Sequence, residues 1–284
     1  MAYLDRIRAC NGWDPAGFVP FLVGGVRRGW IRHGFAERLV QQWPETFLVE
    51  GRAVRLHPAL VGFRQRSLAL AEVLERLVGQ GALPYLHGEK YPVGPAWDRP
   101  EFVIDRAAAP WLGIRAYGQH INGFVRDGEG LLMWVGRRAR DKRNFPLRLD
   151  HLAAGGLPHG ISMADNLAKE CWEEAGIPAE LALKAKPVGA ITYCRETKTG
   201  LKPDTVYCYD LELSADFQPR CTDGEVEDFQ LMPLQQVQEL VAETDEFKPN
   251  CSLVIIDFLI RRGRLGPETG RYLEIVRGLH PELP

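Results

Sequence analysis

Short apolar runs broken by glycine and proline dominate the first third of the chain. Phe18-Val19-Pro20-Phe21-Leu22-Val23 reads as a strand. Gly24-Gly25 and Gly29 then serve as turn residues, since they do not spell G-x-G-x-x-G. Helical character from Phe35 to Trp43 stops at Pro44, and Phe47-Leu48-Val49 with Ala53-Val54-Arg55-Leu56 flanks Glu50-Gly51-Arg52 as a hairpin. The clearest helix of this half spans Ser67 to Val78. Ser67 caps it, Leu70, Leu74, Leu77 and Val78 share one face, and Gly79 and Gly81 end it. Residues 80–100 carry Gly81, Pro84, Gly88, Pro92, Gly94, Pro95 and Pro100, which predicts an ordered linker or a long loop. Beyond it, Gln119–Val125 and Leu131–Val135 form a hairpin about a turn at Asp127-Gly128-Glu129-Gly130. A helix follows Pro233 from Leu234 to Val241, and Ser252–Leu259 reads as a buried helix. Two α/β units are expected, a smaller one over residues 1–110 and a second over 111–284.

Composition narrows the class. The chain has 284 residues, 45% hydrophobic and 25% charged, enough to bury a core and too apolar for disorder. Thirty-five Lys and Arg face 37 Asp and Glu, a net charge of −2. That balance lacks the basic excess of a nucleic-acid partner. No apolar run of about 18 residues predicts a membrane span, and Met1-Ala2-Tyr3-Leu4-Asp5-Arg6 does not resemble a secretory leader. The six cysteines, Cys10, Cys171, Cys194, Cys208, Cys221 and Cys251, form no C-x-x-C pair. They are expected to pack as small apolar groups in a reduced, cytoplasmic protein.

The chemistry concentrates between Gly155 and Ile177. Gly155-Gly156, Pro158 and Gly160 are expected to form a loop, Ser162 with Asp165 to cap a helix, and Gly176-Ile177-Pro178 to end it. Leu167, Ala168, Cys171, Trp172 and Ala175 supply its core side. Glu170, Glu173 and Glu174 stand at i, i+3 and i+4, adjacent on the helix surface. Like charges at that spacing cost stability. The helix C-terminus disfavours them further, and Lys169 is the local offset. Such a pattern is common on a solvated acidic face. It also suits a hard divalent cation, Mg²⁺ or Mn²⁺, which in turn holds diphosphate oxygens.

The stretch resembles the Nudix box, G-x5-E-x7-R-E-U-x-E-E-x-G-U, where U is a bulky apolar residue. Gly155, Glu170, Cys171, Glu173, Glu174, Gly176 and Ile177 fall on the pattern in register. Ile161 stands where the first Glu belongs, and Lys169 replaces the Arg, keeping its charge without the planar fork. Segments at His120–Phe124, Asp150–Gly156, Asp223–Phe229 and Phe247–Cys251 are similar to a Nudix subgroup that includes proteins fused to thiamine pyrophosphokinase.

The resemblance implies an α/β/α sandwich around a mixed sheet, preceded by a smaller α/β domain. It implies Mg²⁺-dependent hydrolysis of a small organic diphosphate, thiamine diphosphate or its oxidised analogues, to the monophosphate. Glu173 and Glu174 would hold metal, Glu170 would ligate metal or activate water, and Lys169 would anchor the cluster. Gly155 and Gly156 would let the loop approach the helix. A further Glu from outside the box, Glu225 or Glu227, would reach the metals, because an alternating strand at 225–227 puts both on one face.

Arg137, Arg138, Arg140, Lys142, Arg143 and Arg148 form a basic stretch, from which Arg137 and Lys142 are candidate diphosphate clamps. His120 and His159 are acid or base candidates by type, and Tyr193 and Trp134 are candidates for stacking on a ring. Because Ile161 breaks the box, a non-hydrolytic module binding a phosphorylated ligand is one alternative. A pyrophosphatase of nucleotide-type substrates is another, and an isomerase ranks last. A small-molecule diphosphate is the expected partner, without nucleic acid or membrane, and with a homo-oligomer open.

Overall fold

The computed structural model describes residues 2–128 and 130–284; Met1 and Glu129, the latter within the expected 127–130 turn, lie outside the described residues. The chain opens with α1 (Ala2–Cys10). Next come β1 (Phe18–Val23), β2 (Val26–Arg32), α2 (His33–Gln42), β3 (Phe47–Glu50), β4 (Ala53–Leu56) and α3 (Gly62–Gly79). β5 (Lys90–Val93), β6 (Phe102–Asp105) and the short α4 (Ala109–Leu112) follow. The first sheet runs β2-β1-β4-β3 and is mixed, because β1 and β4 are parallel. Phe21, Ile31 and Phe47 from that sheet pack with Leu39 of α2 and with Leu70, Val73, Leu74 and Leu77 of α3.

Two expectations fail in this half for identifiable reasons. Helix α3 begins at Gly62, so Ser67 lies inside it. The Ser67 hydroxyl donates to the Phe63 carbonyl at 2.7 Å and accepts from the Val103 amide at 3.0 Å, tying the helix to β6. Residues 80–100 are no linker, since β5 pairs antiparallel with β6 and buries Tyr91 and Val93 in the first core. That core also takes in Ile114, past the expected boundary at 110.

The second half holds β7 (Ala116–Asp127), β8 (Gly130–Arg138), β9 (Leu149–Asp150), β10 (Ala153–Gly156), α5 (Met163–Ala175) and α6 (Ala179–Ala182). It closes with β11 (Lys186–Thr197), β12 (Gly200–Glu212), β13 (Val226–Pro233), α7 (Leu234–Glu243), α8 (Pro249–Arg261) and α9 (Tyr272–Gly278). The main sheet runs β11-β12-β7-β8-β13, with β10 on β7 and β9 on β8. It is mixed through the parallel β12–β7 pair.

Alternation along β7 sends Ile121 and Val125 to one face and Phe124 to the other. Ile121 and Val125 meet Leu167, Cys171 and Ala175 of α5 and Ala182 of α6. Phe124 meets α8, whose Leu253, Val254, Ile255, Ile256 and Phe258 are all buried, together with Val237 and Val241 of α7. The expected α/β/α sandwich is thus present. Helix α1 belongs to this second core through Leu4, Ile7 and Cys10, so the first ten residues do not travel with the rest of the 1–110 unit. Among the described residues, no helix is long and apolar enough to cross a membrane.

Candidate active site

Helix α5 starts and stops as its sequence dictates. Ser162 Oγ accepts from the Asp165 amide at 3.0 Å and donates to Asp165 Oδ2 at 2.6 Å, while Gly176 takes the left-handed φ of 64° that ends the helix. Trp172 departs from expectation: at 54% exposure it faces solvent and not the core.

Gly155 and Gly156 form strand, not loop. β10 pairs antiparallel with β7, matching Gly155 to Gln119 and Gly156 to Gly118. The missing side chains are what the site requires. A Cβ on Gly155 would fall 2.0 Å from Glu170 Cδ, so that carboxylate fills the place of a side chain. Gly155→Ala is expected to displace Glu170 and to lower turnover about 100-fold, the scale for misplacing a reacting group by roughly 1 Å. Steady-state kinetics beside a melting curve would check this, and an active, fully folded alanine variant would refute it.

The three carboxylates do gather. Glu170 and Glu174 are buried against β10, where Glu174 Oε2 accepts from the Ala154 amide at 2.7 Å. Glu173 is half-exposed. Lys169 bridges the cluster, 3.1 Å from Glu170 Oε1 and 2.9 Å from Glu173 Oε2. Burial pushes the Glu170 carboxyl above its ordinary range against the pull of Lys169. Burial, then Asp150 and Glu170, push Glu174 well above it. An all-oxygen set with two buried, mutually repelling carboxylates is the donor chemistry a hard divalent cation satisfies. Ile161, half-buried just before the helix, adds no carboxylate.

The residues expected from outside the box divide. Lys142 forms an ion pair with Glu225, which falls below its usual range because Lys142 outweighs the cost of burial. Arg137 donates to the Leu147 carbonyl at 3.1 Å and lies 3.8 Å from Asp228. Neither cation points freely at a substrate. Glu225 precedes β13, and a register shift between Val226 and Asp228 breaks the alternation that was to put Glu225 and Glu227 on one face. Glu227 is exposed. Trp134 and Tyr193 are core residues, and the Tyr193 hydroxyl donates to Asp204 at 2.6 Å. His159 is exposed, in ring contact with Phe63 at 5.4 Å.

A second polar cluster was not anticipated. His120, Asp150, His151 and Cys251, all buried, offer ligand atoms within 4.8 Å of one another, a group able to hold a metal ion. Cys251 is therefore not a small apolar filler: its thiol donates to Asp150 Oδ1 at 2.8 Å. Asp150 Oδ2 accepts from Arg138 at 2.7 Å and Lys248 at 3.2 Å, and the two histidine Nδ1 atoms lie 2.9 Å apart. Two fixed cations already hold Asp150, and nitrogen and sulfur donors suit softer ions than Mg²⁺. The Glu170–Glu174 face is the better match to a hard cation. A cavity of about 610 Å³ between Arg32, Phe145 and Arg195 is lined by none of these carboxylates.

Comparison with known proteins identifies the family. A NUDIX domain model matches residues 116–251, and a domain of unknown function, DUF4743, matches residues 2–116. Nudix hydrolase 24, chloroplastic, of Arabidopsis thaliana is 44% identical over 98% of this chain and 77% of its own length. The chain belongs to the Nudix hydrolase family. Nudix hydrolase 20, chloroplastic, of the same plant is 43% identical over 98% of this chain and 77% of its own length. The crystal structure of a MutT protein from Methanosarcina mazei covers 53% of this chain and 96% of its own, at 14% identity and a TM-score of 0.40. As a Nudix protein the chain is a hydrolase, and hydrolases of this family use divalent metal ions. The expectation of a cytoplasmic protein does not stand, because both Arabidopsis relatives are named chloroplastic. Unpaired cysteines separate reducing from oxidising compartments and do not tell one reducing compartment from another.

Proposed function

We propose that this Nudix hydrolase cleaves the diphosphate linkage of a small organic diphosphate to the monophosphate, with Mg²⁺ at the Glu170–Glu173–Glu174 face. The observation that carries the reading is the pair of buried carboxyls, Glu170 and Glu174, forced above their ordinary pKa range beside a glycine that exists to admit one of them. When bound, the metal supplies charge neutralisation at the diphosphate and lowers the pKa of coordinated water.

The chain's own residues do the rest. Glu173 and Glu174 hold the ion, with Glu174 oriented by the Ala154 amide. Glu170, seated over Gly155, ligates or takes a proton from the attacking water, and Lys169 keeps Glu170 and Glu173 together. Glu225, held ionised by Lys142, is the carboxylate from outside the box. Thiamine diphosphate or its oxo and oxy analogues are the proposed substrates. Support comes from the subgroup-like segments: His120, Asp150, His151, Lys248, Asn250 and Cys251, drawn from three of them, meet in one hydrogen-bonded network.

The test is phosphate release from a diphosphate panel with Mg²⁺: thiamine diphosphate, its oxo and oxy analogues, nucleoside diphosphate sugars and coenzyme A. A phosphatase is added to reveal monophosphate products. The expected result is metal-dependent turnover highest on the thiamine set. Preference for a nucleotide substrate would move the assignment to that class, and binding of every compound without turnover would replace hydrolysis with ligand binding.

A further inference from the structure

The β5–β6 pair of the N-terminal domain reaches β10, the strand that carries the carboxylate cluster, through one short, firmly held segment. Asp105, at the end of β6 and 1% exposed, accepts from the amides of His87 at 2.8 Å, Gly88 at 2.9 Å and Ala107 at 2.9 Å. One buried carboxylate thereby fixes the loop before β5 and the turn after β6. Arg106 leaves that turn and Tyr91 projects from β5, and both arrive at Gly156. A Cβ on Gly156 would lie 2.1 Å from the Tyr91 hydroxyl and 3.5 Å from the Arg106 guanidinium carbon. Gly155, one residue earlier, admits Glu170 on the other face of β10, so the guanidinium and that carboxylate flank the same strand. The His159 amide donates to the Lys90 carbonyl at 2.7 Å, so the segment ahead of α5 is clipped to the same N-terminal strand.

The Arg106 charge favours the ionised form of both Glu170 and Glu225. Its ion-pair partner is Glu89, at 2.7 Å, and the two side chains are 39% and 30% exposed. A pair open to solvent to that extent is weak, so an incoming anion can take the guanidinium at small cost. Of the other cations, Arg138 is tied to buried Asp150, while Lys142 and Lys169 pair with Glu225, Glu170 and Glu173, the carboxylates of the site itself. A guanidinium also matches diphosphate oxygens in a two-pronged geometry that an ammonium cannot reproduce.

We infer that Arg106, positioned by Tyr91, binds the diphosphate group of the substrate, so that the N-terminal domain completes the active site of the Nudix domain. The inference deepens the hydrolase reading above and rests on it for the identity of the ligand.

The test uses the full chain and three variants, Arg106→Gln, Arg106→Lys and Glu89→Gln. Binding of methylene diphosphonate with Mg²⁺ is followed by calorimetry, beside KM and kcat on the best substrate of the panel. Arg106→Gln should weaken diphosphonate binding and raise KM about 10- to 100-fold, the scale of a charged hydrogen-bonded contact. Arg106→Lys should fall between it and the parent. Glu89→Gln frees the guanidinium and should bind as well as the parent or better. If Arg106 served only its ion pair, Glu89→Gln would match Arg106→Gln, and the inference would be overturned. Parental binding by Arg106→Gln in an active enzyme overturns it too, while leaving the hydrolase reading intact. Arg106-dependent binding in a parent that hydrolyses nothing keeps the inference and removes the hydrolase reading.

Discussion

Glu174→Gln is expected to lower metal-dependent turnover by at least about 1,000-fold, roughly 4 kcal/mol of transition-state stabilisation. The amide is nearly isosteric, and its oxygen can still accept the Ala154 hydrogen bond that orients the side chain. What the change removes is the negative charge, in a place where burial and two neighbouring carboxylates oppose that charge unless a cation meets it. Binding of Mg²⁺ should show the same dependence without any assay of chemistry. At 100 times its dissociation constant a ligand adds about 2.7 kcal/mol to stability, so the parent should melt on the order of 5 °C higher in saturating Mg²⁺. The variant should show little of that rise, and without metal it should melt no lower than the parent. A variant that kept its turnover, or its full Mg²⁺ shift, would move the metal away from α5.

The parts of this site that are local in sequence were readable in it. Ser162, Gly176 and the i, i+3, i+4 carboxylates obey rules that act within one helix, and α5 follows them. The parts that were missed depend on what lies across from a residue. Gly155 and Gly156 have loop propensity, yet β7 pairs with them and two side chains fill their open faces. Trp172 is apolar but sits on the solvent side of α5, because Leu167, Cys171 and Ala175 already cover the sheet. Ser67 reads as a cap because serine is a preferred N-cap residue, while its hydroxyl is in fact a link to β6. Arg106 and Tyr91 lie 57 and 72 residues upstream of the start of α5, in or beside a stretch whose prolines read as linker. No local pattern joins them to Glu170. The segment Phe247–Cys251 offered a resemblance without a chemical role, and the role appears only where Lys248 and Cys251 close on Asp150.

Asp150→Asn is expected to destabilise the protein by about 3–5 kcal/mol, the usual consequence of removing one partner from a buried charge pair. Four donors converge on this carboxylate: Arg138, Lys248, the Cys251 thiol and the His151 amide. Asparagine keeps one acceptor and turns a donor toward the cations, so Arg138 and Lys248 would remain in the interior without a counter-charge. Burial alone would raise the Asp150 pKa, but Lys248, the His151 hydrogen bond and Arg138 together hold it well below the ordinary range. A carboxyl with a depressed native pKa contributes stability that is complete above its unfolded value, about 3.9, and fades as the pH falls from there toward the native value. The gap between parent and variant in chemical denaturation should therefore stay constant from pH 8 to about 5 and narrow below about 4. His120 and His151, both held below their ordinary pKa chiefly by burial, add a separate loss. That loss begins near pH 6.5, where unfolded histidine takes up its proton. Equal stability of parent and variant across the range would mean that Arg138 and Lys248 find other partners, and that the network beneath Glu174 is held by packing and not by its charge.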